Sequence, residues 1–287
     1  MRAAFVVVFA GCTIGNGPAT PPKGPAWRPL PEEASTYNKR IVALRTTLGR
    51  AGIALTARGT EDFVRSSTCS MPEPIRSQVG CVRCVLAGDG DPIDDAVLEA
   101  IKTAFDRYPT ALLIASGIEN VALCKHIEYE NIKQGQQTAG TADIYGHRML
   151  LSIEPFFNQA YEEHGAFTAE DIVHHELYHL LEFHRMRTEF TDDPEWRLYN
   201  PIGFEYGGQV TERQVGFVNP YAATNDVEDR ASVYQYLVVH PDEVCELAKT
   251  DKIVRIKVGL IWSRLAAFGF EPFLRAHAPC WITLARK

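Results

Sequence analysis

The stretch that most restricts what this chain can become runs from Thr168 to Met186, "TAEDIVHHELYHLLEFHRM". Thr168 followed three residues later by Asp171 is a capping-box pair, which predicts a helix starting at about Ala169. On a helix, residues four apart lie one turn apart on the same face. His175 and His179 have that spacing, whereas the residue four after His174 is Tyr178. The frame is therefore His175-Glu176-Leu177-Tyr178-His179, the HExxH pattern.

Two imidazoles one turn apart suit a Zn²⁺ ion, at about 2.0 to 2.1 Å each, and a catalytic zinc keeps one position for water. Glu176, beside the first histidine, can accept a proton from that water and pass it to a leaving amine. The motif alone also fits two histidines on a solvated helix face, so a third ligand decides. The metzincin extension would need a Gly and a His three and six residues after His179, and Glu182 and Arg185 stand there instead. His184 follows His179 by five residues, turned about 140° around the helix, and is expected to point elsewhere. Further on, "NPYAATNDVEDRASVYQYLVVHPDE" can open a second helix with Thr224 or Asn225 as its cap. Glu228 would lie in its first turn, ahead of the apolar Val233, Leu237 and Val238. Glu228 is the candidate third ligand, and Asp229, about 100° away, is the runner-up.

"HHELYHLLE" followed by "YAATNDVEDRASVYQYL" resembles the layout "HExxH … Y-[AS]-x-T-x-x-E-D-x-A-E" of zinc-binding metallopeptidase lipoproteins related to the catalytic domain of anthrax lethal factor. The similarity covers roughly residues 140 to 240. It implies a zincin-like fold, zinc bound by the downstream glutamate, and a tyrosine shortly before that glutamate that stabilises an oxyanion. Tyr221 stands at that position. The family commonly carries a second glutamate four residues after the ligand, where this chain has Ser232. If that group orients a ligand histidine, its replacement weakens the support of the site.

The remainder predicts an α+β chain, mixed in its first part to about residue 160 and mostly helical over 161–287. Helices are expected within residues 33–52 and in "DPIDDAVLEAIKTAFDRYP", and strands in "CVRCVLAG", "TALLIAS", "ENVALCKHIEYE" and "TADIYGHRMLLSI". The last of these would lie beside the cleft with Tyr145, Gly146 and His147 at its rim. The residues from Asp242 to Phe273 read as closing helices that pack on the zinc-binding pair.

At the other end, residues 1–12 join one Arg to a short apolar run ending Phe9-Ala10-Gly11-Cys12, which resembles a bacterial lipobox with Cys12 as the lipidated residue. Residues 13–32 are rich in Pro and Gly and read as a tether, leaving a metallopeptidase domain over 33–287. Without Cys12, six cysteines remain, an even number suited to an oxidising compartment. Cys81-Val-Arg-Cys84 reads as part of a disulfide framework or as free thiols, since no second CxxC exists to complete a zinc ribbon. A net charge of -7 without any basic block speaks against nucleic-acid binding.

These readings converge on an extracytoplasmic zinc endopeptidase of gluzincin type, a cell-envelope lipoprotein or secreted, acting on protein or peptide substrates. The contrasting expectation is an envelope lipoprotein that binds peptides or glycans, stabilised by zinc but without turnover. A toxin-like effector is a third.

Overall fold

The computed structural model describes residues 36–57, 63–72, 81–86, 95–130, 137–153, 168–186, 193–207 and 212–284. The signal-like segment, the tether and Cys12 lie outside them.

Strand β4 (Asn120–Tyr129) organises the first half. It pairs in parallel with β1 (Ala54–Thr56) and β7 (Arg148–Ser152), and antiparallel with β3 (Val82–Leu86) and β5 (Gln137–Thr138). β2 (Phe63–Arg65) extends the sheet beyond β3, and β6 (Gly140–Asp143) pairs antiparallel with β7 at the other edge. Successive side chains of a strand face opposite ways, and β4 uses both faces. Val121 and Leu123 join the main core, while Ala122 and Cys124 join a smaller cluster with Val82, Cys84 and Leu150. A strand buried on both faces reads as an apolar run rather than an alternation, as "VALC" does.

Helices α1 (Thr36–Gly49) and α2 (Asp95–Asp106) form where the sequence predicts them. "TALLIAS" does not become a strand: Thr110–Ala115 is a short helix, α3. Pro109 precedes it at the N-cap, and only Leu112 and Leu113 turn inward while Ile114 stays 60% exposed. A short apolar run does not distinguish a buried strand from one turn of helix, and here the burial follows the helix. The single strand expected in "TADIYGHRMLLSI" is instead the hairpin β6–β7. Asp143 breaks it: its carboxylate accepts from the Gly146 amide at 3.1 Å and from Arg148 Nη2 at 2.7 Å, and His147 adopts a positive φ of 54°.

From Ala169 on, the described residues are mostly helical. The main helices are α4 (Ala169–Leu181), the short α5 (Pro194–Arg197), α6 (Asp226–Val239), α7 (Pro241–Thr250), α8 (Lys252–Ala267), α9 (Glu271–His277) and α10 (Pro279–Leu284). The chain is thus α+β, with its sheet in the first part and helices in the second. One hydrophobic core includes Leu44 and Phe105 on one side and Leu177, Leu237 and Ile261 on the other. As expected for closing helices, α7, α8 and α9 pack against α6.

The six described cysteines form three disulfides: Cys69–Cys81, Cys84–Cys124 and Cys245–Cys280. Cys81 and Cys84 therefore serve two different bridges and are not a redox pair. Such a framework suits an oxidising, extracytoplasmic compartment. No helix among the described residues is long and apolar enough to cross a membrane.

Candidate metal centre

α4 begins with the capping box that the sequence predicts, Thr168 accepting from the Asp171 amide and Asp171 accepting from that of Thr168. The helix buries every side chain from Val173 to Leu181, so His175 and His179 are interior groups, each 5% exposed, and not a solvated pair. α6 starts at Asn225, whose side chain accepts from the Glu228 amide at 2.9 Å and so places Glu228 in the first turn.

The two helices pack so that His175, His179 and Glu228 each offer a donor atom within 4.8 Å of the other two. Nε2 of His175 lies 2.7 Å from Glu228 Oε2, and Nε2 of His179 lies 3.5 Å from the same oxygen. Tetrahedral ligands about 2.05 Å from a zinc ion stand about 3.3 Å apart, and both histidine–glutamate distances lie within an ångström of that spacing.

The hydrogen bonding of His175 makes the same point independently. Nε2 faces the Glu228 carboxylate and Nδ1 faces the carboxamide oxygen of Gln235 at 3.2 Å. Both neighbours are acceptors, and a neutral imidazole has a single N–H. The arrangement therefore calls for one more positive charge between ring and carboxylate, either a proton or a metal cation. With only protein groups present, burial pushes Glu228 up, but the charges and hydrogen bonds of His179 and His175 outweigh it and hold the carboxyl well below its ordinary range. Burial lowers His179, but Glu228 first, and then Glu176 and Glu182, together raise it above its ordinary value.

Glu176 sits beside the trio, buried, against strand β6 at Gly140. Burial raises its carboxyl above the ordinary range, and His179 and His175 only partly offset that. Strand and helix come this close because residue 140 is glycine: a Cβ there would stand 2.4 Å from Ile172 Cγ2 and 3.1 Å from Glu176 Cγ. Tyr221 lies in a 3₁₀ turn (Tyr221–Ala223) just before α6, its ring centre 5.7 Å from that of His175.

Other candidates fall elsewhere. Asp229 turns into the core, where it accepts from Lys257 at 2.6 Å, Trp196 at 2.8 Å and Tyr206 at 2.8 Å. His184 stacks on His147 with ring centres 4.3 Å apart, and Tyr145 meets Phe183 edge-on. The hairpin turn thus packs on the segment following α4, and it is β6 that borders Glu176. His174 is fully buried and hydrogen bonds to Tyr108 through Nδ1. Ser232 is also fully buried, and its hydroxyl has no hydrogen-bond partner. Gln235, which carries no sequence signal of its own, takes the contact with His175.

Fold and site together define an α+β protein with a His/His/Glu constellation, drawn from two helices, next to a sheet edge and a buried glutamate. No protein-family model matches the chain, and no curated protein matches it. Among solved structures, it is similar to a candidate zinc-binding metallo-peptidase from Bacteroides caccae, at 15% identity and a TM-score of 0.47. The match covers 89% of this chain and 97% of the other.

Proposed function

We propose that this protein is a zinc-dependent metallohydrolase, an endopeptidase of gluzincin type. His175, His179 and Glu228 hold the metal, Glu176 is the general base and Tyr221 the oxyanion donor. The observation that carries the reading is the convergence of three donor atoms within 4.8 Å from helices about fifty residues apart in sequence, beside a second, buried carboxylate.

Zinc, when bound, supplies a positive charge that acidifies water and polarises a carbonyl. The remaining work belongs to the chain. Glu176, buried against strand β6, takes a proton from the attacking water and returns it to the departing amine. Tyr221 donates its hydroxyl to the carbonyl oxygen as negative charge builds there. A protein or peptide substrate lies along β6, the strand that borders Glu176. With three disulfides the protein belongs outside the cytoplasm, and Cys12 is proposed as its lipid anchor in a bacterial envelope.

The test is zinc content by mass spectrometry on the full chain, with hydrolysis of a quenched peptide library measured in parallel. Wild type is expected to carry about one zinc, His179→Ala and Glu228→Ala little, and Glu176→Gln to keep zinc while losing hydrolysis. Folded wild type that takes up no added zinc overturns the reading. Zinc uptake without hydrolysis of any library member leaves the binding lipoprotein.

A further inference from the structure

We propose that Gln235 is the positioning residue of the first histidine ligand: it holds His175 as the Nδ1–H tautomer, so that Nε2 presents its lone pair to the metal. This rests on the zinc reading of the site and adds a residue that neither the HExxH pattern nor the resemblance specifies.

The argument begins with Ser232. Where the resembled layout has a glutamate four residues after the ligand, this chain has a short hydroxyl that finds no partner. Gln235 lies seven residues after Glu228, two turns along the same face of α6. Its longer side chain reaches back to His175, with Oε1 3.2 Å from Nδ1. One helix therefore supplies both the third ligand and the group that orients the first.

A carboxamide is ambiguous, because it can offer either its oxygen or its NH₂. Asp171 removes the ambiguity. Its Oδ1 stands 3.1 Å from Gln235 Nε2, and a carboxylate only accepts, so the NH₂ must face Asp171 and the oxygen must face the ring. Asp171 is fixed in turn. Its Oδ2 accepts from the Thr168 amide at 2.8 Å and the Thr168 hydroxyl at 2.7 Å, and its Oδ1 also accepts from His240 Nε2 at 2.7 Å. Asp171 is fully buried and Gln235 is 1% exposed, so water does not compete for these bonds. The helix cap of α4 and the tautomer of its first ligand are thus set by one carboxylate.

The test uses the full-length chain. Zinc affinity is measured by chelator competition for wild type, Gln235→Met, Asp171→Asn and Thr168→Ala, and the His175 ring is followed by ¹⁵N NMR in the zinc-loaded protein. Gln235→Met keeps the length and loses the acceptor, and is expected to bind zinc roughly 10- to 100-fold more weakly. Asp171→Asn lets the carboxamide turn over and should weaken binding as well, while Thr168→Ala costs the cap and leaves affinity within about threefold. Wild type should show a protonated Nδ1 whose hydrogen exchanges slowly with water. Wild type that binds zinc as tightly as Gln235→Met overturns this inference alone, and so does a wild-type spectrum with Nε2 protonated, which needs no variant to fold. Folded wild type that binds no zinc overturns the zinc reading and this inference with it.

Discussion

Arg230 of α6 donates through Nε to Glu182 Oε1, in the turn that ends α4, at 2.5 Å, and neither side chain is exposed to solvent. The pair fastens together the two helices that carry the candidate ligands. Asp226 and Asp193 also lie within 3.5 and 3.8 Å of the same guanidinium. Replacing Arg230 with Met strands these carboxylates, and breaking a buried pair in this way costs about 3 to 5 kcal/mol. Urea unfolding of Arg230→Met should show that loss, and Arg230→Met/Glu182→Leu should regain part of it. A midpoint unchanged in the single variant would mean that the clamp contributes nothing.

On the proposed reading, Tyr221 acts only as charge builds on the carbonyl oxygen. Tyr221→Phe should therefore lower kcat by about 10²- to 10³-fold, with KM and zinc content nearly unchanged. If kcat is unaltered, Tyr221 is a packing residue beside His175.

Gly140→Ala places a methyl group against Ile172 and Glu176. Overpacking of this kind costs about 1 to 3 kcal/mol, and here the strain falls on the proposed base. The variant should melt earlier than wild type and lose hydrolysis more steeply than zinc. Equal melting temperatures would show that strand and helix can separate freely.

Burial and the neighbouring His147 lower His184 from 6.5 to about 4, and the Ile144 carbonyl offsets little of this. The folded ring stays neutral where the unfolded one has already taken a proton. This contribution to stability is complete above pH 6.5 and is lost as the pH falls towards 4. Its size is at most about 3 kcal/mol, less for a ring that keeps some solvent contact. His184→Phe should flatten the unfolding free energy over this range, as read from urea midpoints. A wild-type slope that survives the substitution would assign it to other groups.

Cys245–Cys280 closes a loop of 35 residues and ties α7 to α10. Chain entropy gives such a bridge about 3 to 4 kcal/mol. Cys245→Ala/Cys280→Ala should lower unfolding stability by about that amount while sparing zinc binding, because neither cysteine belongs to the donor trio.

Much of the site is written in short-range patterns. The cap at Thr168, the four-residue spacing of His175 and His179 and the cap at Asn225 are local, since each depends on hydrogen bonds and helical geometry within a turn or two. The same rules placed α1 and α2 and the central strand β4. They failed where a local pattern has two physical solutions. "TALLIAS" is apolar enough for a strand or a helical turn, and in the fold it is a helix that follows Pro109 and buries Leu112 and Leu113. What only the tertiary structure decided is which partners meet across the chain. Glu228 rather than Asp229 faces the histidines because Lys257, Trp196 and Tyr206 claim Asp229 for the core. Gln235 reaches His175 because α6 crosses α4 at that height, and three cysteine pairs were chosen from fifteen possibilities by the distances the fold allows. Spacing along a helix is a property of the sequence, whereas the meeting of two helices depends on how all their side chains pack at once.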